Sequence, residues 1–134
     1  MKRGFVRNIQ YLVIHHSASS LSTTLEDIRR WHIEEQDWVD VGYHWVIESD
    51  GSLLPGRSVY LMGAHVRGRN RESLGVCLVG DNTVESRRWN KKQIKSLKEL
   101  SKSCQMVFPD LKVVGHRDLN ENTLCPGLDV QEIL

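Results

Sequence analysis

Cysteine is scarce in this chain: there are three in 134 residues, and an odd number cannot pair off completely into a disulfide framework. Reduced thiols or a metal site suit that count. Long apolar runs are missing too. The one nearest the N-terminus, Tyr11 to Ile14, is four residues long, far short of the roughly 20 that a membrane-spanning helix needs. It is also too short for a secretory leader, which requires roughly 7–15 apolar residues behind a basic start such as Met1-Lys2-Arg3. Synthesis in the cytoplasm without an export signal is therefore expected. An excess of one charge is lacking as well: Lys plus Arg total 18, Asp plus Glu total 17, and the net charge is +1. That excludes a whole-protein field of the kind that drives nucleic-acid binding. Repeats, low-complexity tracts and Pro/Gly-rich linkers are absent, so residues 1–134 read as one domain, with a monomer as the default.

What is present is an ordinary globular balance, 40% apolar and 26% charged, with the charges unevenly placed. Residues 1–56 hold 5 basic and 8 acidic side chains, residues 57–102 hold 11 and 4, and residues 103–134 hold 2 and 5. The basic middle segment reads as a solvated helix face, or as a rim attracting an anionic polymer.

Tyr11-Leu12-Val13-Ile14 has the continuous apolar pattern of a strand covered on both faces. Thr23 and Glu26 have capping-box spacing, and Leu25, Ile28, Trp31 and His32 recur at helical spacing, predicting a helix from about Thr24 to Glu35. Tyr43, Trp45 and Ile47 alternate with His44 and Val46 as in a strand. Asp50-Gly51 then signals a hairpin into Leu53-Leu54. Leu74 to Val79 is another buried strand. Asn90 and Gln93 open the longest helix, with Ile94, Leu97, Leu100, Cys104 and Val107 as its apolar stripe and Pro109 as its end. Lys112 to Gly115 is a last short strand. This alternation predicts an α/β fold, a mixed central sheet of about five strands flanked by helices.

Two histidines fall where open α/β sheets present ligands, at the carboxyl ends of strands: His15 and His116. His16 follows His15, but neighbouring strand residues point to opposite faces, so only one of the pair can enter a given cleft. Cys125 lies in the loop Asn122-Thr123-Leu124-Cys125-Pro126-Gly127. Two imidazoles and a thiolate make a three-ligand zinc set with an open fourth position, the arrangement usual in catalytic zinc sites. Spacing alone does not decide it: there is no Cys-x-x-Cys pair and no His-Glu-x-x-His helix. Histidines satisfied by ordinary hydrogen bonds remain the alternative. His44, His16, Trp45, Trp89, Cys77 and Cys104 read as packing residues, and Arg67, Arg69 and Arg71 as loop solvation.

The blocks Ile14-His15-His16-Ser17-Ala18-Ser19, Trp31-His32, Asp40-Val41-Gly42-Tyr43-His44-Trp45-Val46-Ile47, Gly63-Ala64-His65-Val66-Arg67-Gly68-Arg69-Asn70, Ser73 to Gly80, Gly115-His116-Arg117-Asp118 and Cys125-Pro126-Gly127 occur in that order. Together they resemble the zinc-dependent N-acetylmuramoyl-L-alanine amidases, especially the small phage lysozymes of amidase type, whose fold is shared with peptidoglycan recognition proteins. The resemblance spans roughly residues 10–130. It implies one zinc per chain held by His15, His116 and Cys125 in a cleft at one edge of the sheet. It implies Tyr43 as a catalytic side chain beside the metal. It places His65 and Asn70 along the substrate groove, with Trp31, His32 and Arg57 bordering it. Thr123 stands where many of these amidases carry a lysine; a hydroxyl donates a hydrogen bond but brings no fixed charge.

The reaction so implied is hydrolysis of the amide between N-acetylmuramic acid and L-alanine in peptidoglycan, as a phage or prophage endolysin in host lysis. Zinc suits it by polarising the carbonyl and acidifying water, and a tyrosine hydroxyl by holding the developing oxyanion. Without a leader, such an enzyme waits in the cytoplasm until the membrane is breached. Two other readings stand beside it: a module that binds muropeptides without cutting them, and a thiol hydrolase with Cys125 as nucleophile and His116 as base.

Overall fold

The computed structural model describes residues 7–134, so the basic start Met1–Arg3 lies outside the described residues. Its centre is a five-stranded mixed sheet in the order β3-β2-β4-β1-β5. These strands are β1 (Tyr11–His16), β2 (Trp45–Ile47), β3 (Leu53–Pro55), β4 (Ser73–Leu78) and β5 (Lys112–Gly115). β1 pairs in parallel with β4 and β5, β2 in parallel with β4, and only β3 runs antiparallel, as the hairpin partner of β2.

Strand alternation divides the core into two layers. Leu12 and Ile14 of β1 join Leu74, Val76 and Leu78 of β4 on one face, against Leu97, Leu100 and Cys104 of the long helix α2 (Lys91–Val107). The opposite face gathers Cys77, Val79 and Val46 with Leu25 and Ile28 of α1 (Leu25–Arg30). His15 and Gly75 have the parity of this second layer, so the α1 side of the sheet is where chemistry can be exposed. α2 begins with the expected box: Asn90 accepts the Gln93 N–H, and Gln93 accepts the Asn90 N–H. Gln93 is itself fully buried and donates to the Val79 carbonyl at 2.8 Å, tying the helix start to the end of β4.

Three local expectations are corrected. The first helix is capped by Thr24 with Asp27, not Thr23 with Glu26. Thr23 is buried instead, and α1 gives way at Trp31 to a π-helical turn through Glu35. Val107 does not belong to the buried stripe of α2; it is 68% exposed, and the inward face is completed by Gln93 and Ser101. Tyr43 does not share a face with Trp45 and Ile47. The chain enters β2 irregularly, with the His44 N–H donated to the Gly75 carbonyl at 2.9 Å and the Tyr43 carbonyl accepting from Arg57 N–H at 2.8 Å. This phase break puts Tyr43 in the α1 layer, while Trp45 packs in the α2 layer.

The carboxyl end of β5 leads directly into α3 (His116–Leu119), and the chain closes with α4 (Val130–Ile133). Gln131 of α4 donates to the Val113 carbonyl of edge strand β5 at 2.8 Å.

His44, 1% exposed, supports the entry to β2: its Nδ1 accepts the Gly75 N–H at 3.0 Å and its Nε2 lies 2.8 Å from the Leu61 carbonyl. Both bonds require the neutral Nε2–H ring, and burial lowers its pKa from 6.5 to about 4. Between those values the unfolded chain binds a proton that the folded chain refuses. His44 therefore makes stability fall as pH drops from about 6.5 to about 4, by up to about 1.4 kcal/mol per pH unit. Urea melts of metal-free protein across this window are expected to show that loss. His44→Gln should start less stable, by about 1–3 kcal/mol, and show a shallower pH slope. An unchanged slope would count against the assignment.

Candidate metal centre and active-site cleft

Parallel pairing sets the carboxyl ends of β1 and β5 side by side, with Ile14 opposite Gly115. The next residue on each chain is a histidine, and the two rings lie 4.7 Å apart between centroids. The turn that aims His116 is fixed by Asp118, which accepts the Gly115 N–H at 2.7 Å. Cys125 reaches the same point from its loop. The Cys125 carbonyl accepts the Arg117 N–H at 2.7 Å, and its sulfur accepts the His16 N–H at 3.4 Å. Asn82 secures the far side by donating to the Pro126 carbonyl at 2.8 Å while its own N–H goes to His16 Nδ1 at 3.2 Å. Gly127 closes the loop at φ +80°, where a Cβ would also come within 3.2 Å of the His16 ring.

His15, His116 and Cys125 thus offer three ligand atoms within 4.8 Å of one another, the grouping among the described residues able to hold a metal ion. Cys125 Sγ is 3.8 Å from His15 Nδ1. Zinc bonds of about 2.3 Å to sulfur and about 2.0–2.1 Å to nitrogen, at a tetrahedral angle, set such atoms about 3.6 Å apart. The donor set is of the kind zinc takes: the Cys125–His15 pair is near that spacing, and the full spread of 4.8 Å would have to close on binding. It is also neutral as folded. Burial pushes the Cys125 thiol up to about 11, opposed by the His16 N–H, and burial lowers both His15 and His116, His15 strongly. Metal binding must displace the thiol proton, and the neutral rings are ready as ligands.

Around these donors the predicted residues take distinct positions. The Tyr43 ring stands 5.0 Å from His15 and 5.5 Å from His32. Burial holds its pKa well above the usual 10, so the phenol stays protonated. His65 is 9% exposed, and its Nδ1 meets His15 Nε2 at 2.9 Å. Asn70 Oδ1 accepts the N–H groups of both His65 and Val66, at 2.9 and 2.8 Å. Trp31 packs on the α1 layer, and His32 Nδ1 accepts the Gly42 N–H at 2.9 Å. Thr123 Oγ1 accepts the Cys125 N–H at 3.2 Å.

Arg57, expected at the groove border, is engaged with backbone. Its guanidinium donates to the carbonyls of Val41, Met62 and Asp40, at 3.0, 3.0 and 3.2 Å, and so ties loops together. A cleft of about 440 Å³ opens beside the donors, lined by Trp38, Ala64, His65, Arg67, Asn70, His116 and Asn120. Trp38 and Asn120 were not predicted. Trp38 sits in the polar stretch Asp37-Trp38-Val39-Asp40, outside any periodic segment; an isolated aromatic in such a stretch was the signal available.

Comparison with known proteins identifies the family. The profile of the N-acetylmuramoyl-L-alanine amidase family matches residues 5–128. The endolysin of Enterobacteria phage K11 is 33% identical over 123 residues, covering 88% of this chain and 80% of its own. Among solved structures, the N-acetylmuramoyl-L-alanine amidase LysC of Clostridium intestinale superposes with a TM-score of 0.84 at 27% identity, over 97% of this chain and 85% of that one. Bumblebee PGRP-SA superposes at 0.82 and 27% identity, over 93% and 79%. The chain belongs to the N-acetylmuramoyl-L-alanine amidase family.

Proposed function

We propose that the protein hydrolyses the amide joining N-acetylmuramic acid to L-alanine in peptidoglycan, as one amidase domain over residues 1–134, and that it serves as an endolysin. The observation carrying this proposal is the convergence of His15, His116 and Cys125 within 4.8 Å, with His116 lining a cleft, in a chain of this family. These three residues would hold one zinc. When bound, zinc supplies a Lewis acid for the amide carbonyl and acidifies water at its open position.

The chain's own residues do the rest. The stem peptide lies in the cleft between Trp38 and the Arg67–Asn70 loop, where the exposed Arg67 meets its carboxylates. Trp31 and His32 form the helical border. The Tyr43 phenol, kept protonated by burial, donates to the oxyanion that develops as the carbonyl becomes tetrahedral. Thr123 supplies a neutral donor on the Cys125 side. Arg57 supports the groove through the three backbone carbonyls it ties together. No helix among the described residues is long and apolar enough to cross a membrane. Storage in the cytoplasm until membrane breach belongs to the same proposal.

The thiol-hydrolase reading loses ground on one observation: a nucleophilic cysteine needs a depressed pKa, and burial raises that of Cys125 to about 11. Metal analysis after dialysis is expected to find about one zinc per chain, and sharply less in Cys125→Ser. Thorough chelation should abolish release of stem peptides from purified cell wall, with recovery on adding zinc; activity that survives chelation overturns the proposal. Tight muropeptide binding without turnover in zinc-loaded protein would make the chain a recognition module instead. Tyr43→Phe should keep its zinc and lose about 10²–10³-fold in kcat, read by the same peptide release.

A further inference from the structure

His65 has an environment that a residue lining the cleft does not need. Behind its contact with His15, His65 Nε2 lies 3.3 Å from Ser73 Oγ, and Ser73 Oγ donates to the Arg69 carbonyl at 2.9 Å. Ser73 is fully buried. The ring lies flat against β4 at Gly75, where a Cβ would come within 2.7 Å of His65 Cγ and Nδ1. Any side chain at Gly75 would displace the ring. Asn70 fixes the His65 backbone from the other side. Serine, glycine and asparagine thus cooperate to hold one imidazole behind another.

The direction of this chain follows from its end. A carbonyl only accepts, so the single Ser73 proton goes to Arg69 and the Ser73 oxygen accepts from His65 Nε2–H. A neutral imidazole protonated on Nε2 presents a lone pair on Nδ1, which accepts from His15 Nε2–H at 2.9 Å. His15 is then left with its lone pair on Nδ1, the nitrogen 3.8 Å from Cys125 Sγ. Reversing every donor would remove the Ser73 proton from the Arg69 carbonyl. It would also place a proton on His15 Nδ1, among the three ligand atoms.

We propose that His65 is a positioning residue: the one-way chain Arg69 carbonyl, Ser73, His65 locks His15 in the tautomer that leaves Nδ1 open to the metal. Hydrogen bonds from outer residues that fix the tautomer and orientation of a ligating histidine commonly alter metal affinity by about 10–100-fold. The inference rests on the metal-centre reading above, but its subject is a proton position that exists before metal arrives.

Two readouts independent of turnover test it. Long-range ¹⁵N–¹H correlation spectra of metal-free protein should show both His15 and His65 protonated on Nε2. Zinc affinity, measured by competition with a chromogenic chelator, should fall about 10–100-fold in His65→Leu and stay near wild type in His65→Asn, whose amide oxygen can accept from His15. Ser73→Ala keeps the His65 ring and removes only its anchor; it should populate the second His65 tautomer and weaken zinc several-fold. It carries the test if His65→Leu does not fold. His15 protonated on Nδ1 in the wild type, or zinc affinity unchanged in both His65→Leu and Ser73→Ala, would overturn the proposal. A wild-type protein that takes up no zinc would sink the metal-centre reading, while the spectra would still decide the tautomer.

Discussion

Parallel pairing of β1 with β5 is the constraint from which the site follows, because it sets side by side two strand ends that lie far apart in sequence. Both strands run the same way and finish at the same level, so His15 and His116 emerge as neighbours without any loop having to reach. The burial of Leu12 and Ile14 against α2 enforces the register, since a slip of one residue would move these side chains to the α1 layer and His15 to the α2 layer. Only the sulfur comes from an irregular segment, and that segment is bonded to β1, to α3 and to Asn82. Metal affinity in such an arrangement draws on the stability of the whole sheet.

Much of this was legible in the sequence where one physical signal dominated. The strand ends at His15 and His116, the Asn90–Gln93 cap, the Asp50-Gly51 hairpin and the burial of Cys77 and Cys104 all followed from periodicity and turn chemistry. What failed did so where tertiary bonds override a local pattern. Thr23 and Thr24 both offer a capping hydroxyl, and the choice between them depends on which one the core buries. The face of Tyr43 could not be read from alternation, because His44 leaves the strand pattern to bond Gly75, 31 residues away. The resemblance set Arg57 at the border of the groove, but its hydrogen bonds left no local signal. Its three carbonyl partners belong to loops whose approach only the fold determines.

Electrostatically the site is a set of groups kept neutral. Burial lowers His15, His44 and His65 and raises Cys125 and Tyr43, so near neutral pH the rings are acceptors or ligands and the phenol and thiol carry their protons. On the proposed function, the positive charge that hydrolysis of an amide demands would arrive with the metal. This explains how three nitrogen and sulfur donors can sit together without mutual repulsion before it binds.

The bond from Gln131 to Val113 bears on a different matter, the behaviour of the sheet toward other chains. β5 is an outer strand with one row of backbone groups facing away from β1, the kind of border that invites a foreign strand to add on. By laying α4 across that border and occupying a carbonyl with a side-chain amide, the chain closes the sheet on the side of the metal donors. Loss of the last few residues would therefore be felt first as self-association along this border, before any change at the histidines.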